Sequence, residues 1–226
     1  MTTIRTVAAH EVVQTAFPRP VTEADELAMA VGRAIDAALS RFSHEAGQHR
    51  HPSAHRMREF ASTVLTEELR DIDLEVSEGQ REQILTEVDG VLRAFRRSEV
   101  YGLPRPKSRL IVIDGVAGVY AQPDYWNERD RFYEMKSYNA VPPPPDVALQ
   151  LQLFQLAFSG LSAFLFCIDR HAVPVAATVT PLAPLTPEET RTTLDLAYRV
   201  ALEKGIEKVV EYVDNPRVHY QRPAPS

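Results

Sequence analysis

Asp124 follows Pro123, and after nine intervening residues come Glu134, Met135 and Lys136. On an extended strand side chains alternate between faces, so Glu134 and Lys136 point to one side and Met135 to the other. If the strand ending at Asp124 pairs with the one holding Glu134 through the connection 125 to 130, Asp124 lies beside that face. Two carboxylates and an ammonium then converge. Asp124 and Glu134 offer the oxygen ligands that a hard cation such as Mg²⁺ prefers, and the backbone carbonyl of Met135 is a third candidate. Such an ion neutralises phosphate charge and makes hydroxide available near neutral pH. Lys136 can hold the attacking water or meet charge that develops in the transition state. Taken singly, Pro-Asp is also turn chemistry and Glu-x-Lys also the solvent face of an amphipathic strand. Their order and interval together point to cutting a phosphodiester.

The elements that must position these residues follow from pattern. Residues 98 to 141 carry β-branched and aromatic clusters separated by polar turns, which predicts strands near 109 to 114, 116 to 123 and 131 to 138. Four prolines, 142 to 145, stop the sheet and introduce a helix over about 146 to 159. Strands over 162 to 169 and 173 to 180 come next, then a helix that opens at Thr186 and runs, with a bend near Gly205, to about Val213. Ahead of the sheet, helical spacing predicts helices from Thr22 to Phe42, Ser53 to Leu74 and Ser77 to Phe95, with 43 to 52 as a polar connector. Residues 1 to 20, with Pro18 and Pro20, read as an extended arm. The expected organisation is one α/β domain over 21 to 215: a helical portion 21 to 97, a sheet core 98 to 180 and a C-terminal helix 186 to 213, followed by a loose tail 216 to 226.

Composition limits the partners. The chain has 226 residues and a net charge of −6, so a polyanion must be met by a local basic patch. That patch is predicted in 91 to 110, where Arg93, Arg96, Arg97, Arg105, Lys107 and Arg109 face only Glu99. The acidic stretch 64 to 89 is expected to face away from nucleic acid. Tyr101, Tyr125, Trp126 and Tyr138 are candidates for stacking on bases, although strand aromatics more often pack in a core. One cysteine, Cys167, excludes an internal disulfide and a thiolate or iron-sulfur site built from one chain. No apolar run approaches the roughly 18 to 20 residues that span a bilayer, and the first residues lack a signal peptide's apolar centre, so a cytoplasmic location without membrane partners is expected. No P-loop, dinucleotide glycine pattern or Gly-x-Ser-x-Gly elbow supports small-molecule chemistry.

Pro123-Asp124 followed by Glu134-Met135-Lys136 resembles the signature of the PD-(D/E)XK nuclease superfamily. Gln150 to Phe154 resembles the QxxxY helix motif of its RecB-like and CRISPR-associated exonuclease branch, and Ser98-Glu99 also fits that branch. The likeness covers about residues 95 to 160. It implies a restriction-endonuclease-like mixed central sheet flanked by helices, Mg²⁺ or Mn²⁺ on Asp124 and Glu134, assistance from Lys136, and a supporting or DNA-contacting role for Gln150. Partners of a DNA repair, recombination or defence system are implied as well. Phe154 stands where the branch has tyrosine, and the four-cysteine iron-sulfur motif is missing. RecB-like enzymes carry a histidine on a helix before the sheet. Here His44, His49, His51 and His55 cluster; His55 has Glu59 four residues on, whereas Gly47 with His51 better fits the branch's spacing, so either could be the added ligand. Basic groups Arg105, Lys107 and Arg109 lead into the site as phosphate contacts. A non-catalytic nucleic-acid or protein-binding module on the same scaffold is the alternative. DNA or RNA, single or double strands, and exonuclease or endonuclease action are all compatible with these residues.

Overall fold

The computed structural model of the chain describes residues 2–127, 129–210 and 217–222. It opens with strand β1 (Thr2–Ala8) and helix α1 (Ala9–Ala16), where an extended arm is expected. The reason lies in the alternation TTIRTVA, which places Ile4 and Thr6 on one face and Val7 on the other, all three buried. Pro18 and Pro20 mark only the linker after α1. Three helices follow: α2 (Glu23–Gly47), α3 (Ala54–Asp71) and α4 (Glu78–Arg96). Each begins where a hydroxyl at Thr22, Ser53 or Ser77 accepts from the backbone N–H three residues on. Helix α2 outruns its expected end at Phe42 because 43 to 46 contain no breaker before Gly47, and Arg41 pairs with Glu45 one turn later at 3.0 Å.

The sheet region then runs β2 (Arg109–Ile113), β3 (Ala117–Ala121), β4 (Tyr125–Asn127) and β5 (Arg131–Lys136). After these come α5 (Pro145–Ala157), β6 (Ser162–Ile168), β7 (Ala177–Pro181) and α6 (Pro187–Lys204). Helix α6 stops at Gly205, short of the expected 213, and strand β8 (Ile206–Val210) follows. A side chain at Gly205 would collide with the backbone carbonyl of Ala201, so glycine permits the close turn from helix into strand. The last strand, β9 (Arg217–Tyr220), lies in the expected tail. It is not loose, because it pairs with β2 and because Asp114 accepts from both the backbone N–H and the guanidinium of Arg222. Residues 211–216 and 223–226, also part of the expected helix and tail, lie outside the described residues.

The architecture is α/β with two mixed sheets flanked by helices, ordered β8-β1-β3-β2-β9 and β4-β5-β6-β7. One face of the first sheet, with Val7, Ile111, Ile113 and Val119, packs with Leu153 and Phe154 of α5 and Ala197 and Ala201 of α6. The second sheet buries Tyr125, Met135 and Phe166 against Leu39, Phe42, Met57 and Phe95 of the N-terminal helices. Burial of these apolar faces is the main stabilising term. Strands β3 and β4 are consecutive pieces of one run, 117 to 127, the first in one sheet and the second in the other. Asp124 sits at the crossing.

Candidate metal centre

At that crossing the Asp124 side chain replaces a missing piece of ladder. Strand β4 pairs with β5 from Asn127↔Arg131 to Tyr125↔Tyr133 and stops there. Two residues further along β5, the N–H of Met135 donates to Oδ2 of Asp124 at 2.8 Å. A strand residue turns its N–H and C=O towards the same neighbour, so the carbonyl of Met135 faces the gap that Asp124 fills.

Glu134 and Lys136 lie on the face opposite Met135, as alternation requires. Glu134 is 3 % exposed, and its Oε1 accepts from Nζ of Lys136 at 2.7 Å. The same ammonium donates to Oε1 of Gln150 at 2.9 Å, which ties β5 to α5. Phe154, one turn beyond Gln150, lines the same cleft, so the ring that replaces tyrosine there adds an apolar wall and no hydroxyl. The cleft has a volume of about 440 Å³ and is lined also by Asp124, Glu134, Arg105, Gln122 and, from the start of α1, His10.

A third carboxylate stands close by. Arg105 reaches Asp124 Oδ1 with Nη2 at 3.2 Å and Asp36 Oδ2, on α2, with Nη1 at 3.8 Å. Three carboxylates against the two cations Lys136 and Arg105 leave a negative balance, with Asp124 and Glu134 poorly hydrated and Asp36 and Arg105 at the more open edge. Its effects follow. Burial, with the adjacent charge of Glu134, pushes the Asp124 carboxyl up from the usual 3.8 to about 8. Asp36 rises to about 6 through burial and the charge of Asp124. Burial works against the Lys136 ammonium, but Glu134, through charge and hydrogen bond, and Asp124 outweigh it and raise its pKa.

Of the residues singled out from sequence, Asp124, Glu134, Lys136, Gln150, Arg105 and the Met135 carbonyl come together. Others do not. Arg109 lies with its guanidinium 4.3 Å from the Phe158 ring centre and 5.8 Å from that of Trp126, and it donates to the carbonyl of Ala157, so it is a packing group and not an open phosphate contact. Lys107 is exposed on the segment before β2. His55 is 81 % exposed, pairs with Glu59 at 3.3 Å and lies outside the cleft lining. His51 meets the Tyr101 hydroxyl at 3.2 Å. Tyr125 is buried against Phe95, and Trp126 packs on Phe158. Asp36 is the group that sequence reasoning missed. Its signal was faint: a carboxylate flanking the apolar stripe Val31, Ala34, Ile35, Ala38 and Leu39 of α2.

Among the described residues no group of three His, Cys, Asp or Glu side chains is spaced to hold an ion by itself. The donors present are nevertheless hard oxygens: Asp124, Glu134 and the Met135 carbonyl. Such a set fits Mg²⁺ or Mn²⁺, which take few protein oxygens and keep several waters. Among the described residues no helix is long and apolar enough to cross a membrane. No protein-family model matches this chain, and no curated protein matches it. A solved structure, the crystal structure of SSO0001, is similar over 87% of this chain and 84% of its own, with 14% identity and a TM-score of 0.35, a likeness too low to carry any argument.

Proposed function

We propose that this chain is a divalent-metal-dependent nuclease that hydrolyses phosphodiester bonds of DNA. The observation that carries the reading is the convergence of Asp124, Glu134 and Gln150 in one cleft, from the crossing between sheets, β5 and α5, with the Lys136 ammonium hydrogen-bonded to both Glu134 and Gln150. Asp124, Glu134 and the carbonyl of Met135 would hold Mg²⁺ or Mn²⁺. When bound, the ion supplies charge neutralisation and a water of lowered pKa. The protein's own part is positional. Gln150 and Glu134 fix the Lys136 ammonium at its two hydrogen bonds, so that a charged donor is held beside the two cleft residues it bonds. The raised pKa of Asp124 belongs with this reading, because paired carboxylates held close without a full counter-charge favour a site built to take a cation.

The test is cleavage of DNA with Mg²⁺ or Mn²⁺. Asp124→Ala, Glu134→Ala and Lys136→Ala should each remove cleavage with the fold intact by circular dichroism, and retained cleavage in all three defeats the assignment. One observation favours a non-catalytic nucleic-acid or protein-binding module instead: Glu134 and Asp124 each already have an ion-pair partner within the protein, Lys136 and Arg105. That alternative gives salt-sensitive DNA binding with no cleavage in any divalent metal, or a protein partner with no DNA affinity.

A further inference from the structure

Arg105 lies between Pro104 and Pro106, and both flanking carbonyls are tied to the run that carries Asp124. The N–H of Trp126 donates to the carbonyl of Pro104 at 3.1 Å, and the Gln122 amide donates to that of Pro106 at 2.7 Å. The base of Arg105 is therefore held on both sides, and the freedom left is in its side chain. That side chain is 43 % exposed, lines the cleft, and touches Asp124 at Oδ1 and Asp36 at Oδ2. The other oxygen of Asp124 is already occupied by the Met135 N–H. A cation approaching Asp124 thus meets the guanidinium at the only oxygen not tied to backbone, and like charges so close repel strongly. A guanidinium that leaves the carboxylates remains in the cleft, where its fork of donors matches phosphate oxygens.

We infer that Arg105 is an exchange cation: it holds Asp124 and Asp36 until a divalent ion displaces it, then takes a phosphate oxygen of the bound strand, so that metal and DNA bind cooperatively through this one side chain. The inference rests on the nuclease reading and adds to it the residue that couples the two ligands. Cooperativity of this kind is reciprocal, and a coupling of about ten-fold is typical.

The experiment is calorimetric titration of Mn²⁺ into the full chain, with and without a saturating phosphorothioate oligodeoxythymidylate that resists cleavage. In the unaltered protein the oligonucleotide should tighten Mn²⁺ binding by about ten-fold. Arg105→Ala should bind Mn²⁺ about ten-fold tighter without the oligonucleotide and gain nothing further from it. Arg105→Lys, which keeps the charge, should restore part of the response, and Arg199→Ala, an exposed arginine on α6, should match the unaltered protein. Arg105→Gln provides the same comparison if the alanine variant does not melt cooperatively. Equal Mn²⁺ affinity in Arg105→Ala and the unaltered protein, or an equal oligonucleotide effect in both, overturns the exchange while leaving the nuclease reading in place. No Mn²⁺ uptake by either protein overturns both.

Discussion

Asp124→Asn should make the protein more stable at pH 8 while destroying the site. The Asp124 carboxyl is 13 % exposed, and its pKa stands at about 8 against an ordinary 3.8 because burial and Glu134 disfavour its charge. An acid whose pKa is raised by folding weakens the native state as it ionises. Between about 4 and about 8 the native protein retains a proton that the unfolded chain has released, so stability declines with rising pH across that window and the full penalty is present above it. At about 1.4 kcal/mol for each factor of ten in acidity, the upper bound is on the order of 6 kcal/mol. Asparagine removes the charge and keeps an oxygen for the Met135 N–H, and its amide can donate to Glu134. Relaxation of the cleft reduces the recoverable part, so we expect about 2 kcal/mol at pH 8, or a melting point higher by roughly 4 to 8 °C for a domain of this size, and little change at pH 4. Thermal melts of both proteins in chelator, at pH 4, 6 and 8, measure this directly. A variant that is less stable at pH 8, or whose gain does not grow with pH, would refute the claim that these carboxylates repel each other in the native state.

Two further outcomes follow from the same geometry. Lys136→Met strands Glu134, 3 % exposed, without its partner, and should cost about 3 kcal/mol in denaturant melts, whereas Lys136→Met combined with Glu134→Gln should lose clearly less. Saturating Mn²⁺, at about a hundred times its dissociation constant, should stabilise the unaltered protein by about 2.7 kcal/mol and leave Glu134→Gln unmoved, with His55→Ala behaving as unaltered; an equal shift in Glu134→Gln would place the ion elsewhere.

The sheet core was legible in sequence because β-branched and aromatic residues alternate there, and the facing of Glu134 and Lys136 follows from that period alone. What escaped was set by contacts distant in sequence. Strand β1 hides in a short polar-looking stretch and becomes a strand only because β3 and β8 pair with it on either side. Gly205 reads as a bend in a long helix, since nothing local says that the chain after it will add to β1. Arg109 looks like its basic neighbours until Trp126 and Phe158 come beneath it. Asp36 lies 88 residues before Asp124 in the chain and is brought to it by the packing of α2 over the second sheet. Periodicity can flag a carboxylate at the edge of an apolar stripe, but not what it meets there.

The Pro-Asp pair illustrates how residue type can make a site out of ordinary ladder geometry. Continuing the register Tyr125↔Tyr133 by two residues sets position 123 opposite Met135. Any other residue at 123 would bring an N–H to answer the Met135 carbonyl, and proline has none. With that donor removed, the run leaves β3, crosses between sheets and resumes as β4, and the next residue, Asp124, turns its carboxylate into the space to take the Met135 N–H. One backbone donor is thereby satisfied by a side chain, and the neighbouring carbonyl loses its natural partner beside two carboxylates. A strand interruption that would elsewhere be a defect here brings the Asp124 carboxylate to the Met135 backbone, in the cleft that Glu134 also lines. The spacing between Pro123 and Glu134 matters because it returns the chain through the turn after β4 in that register.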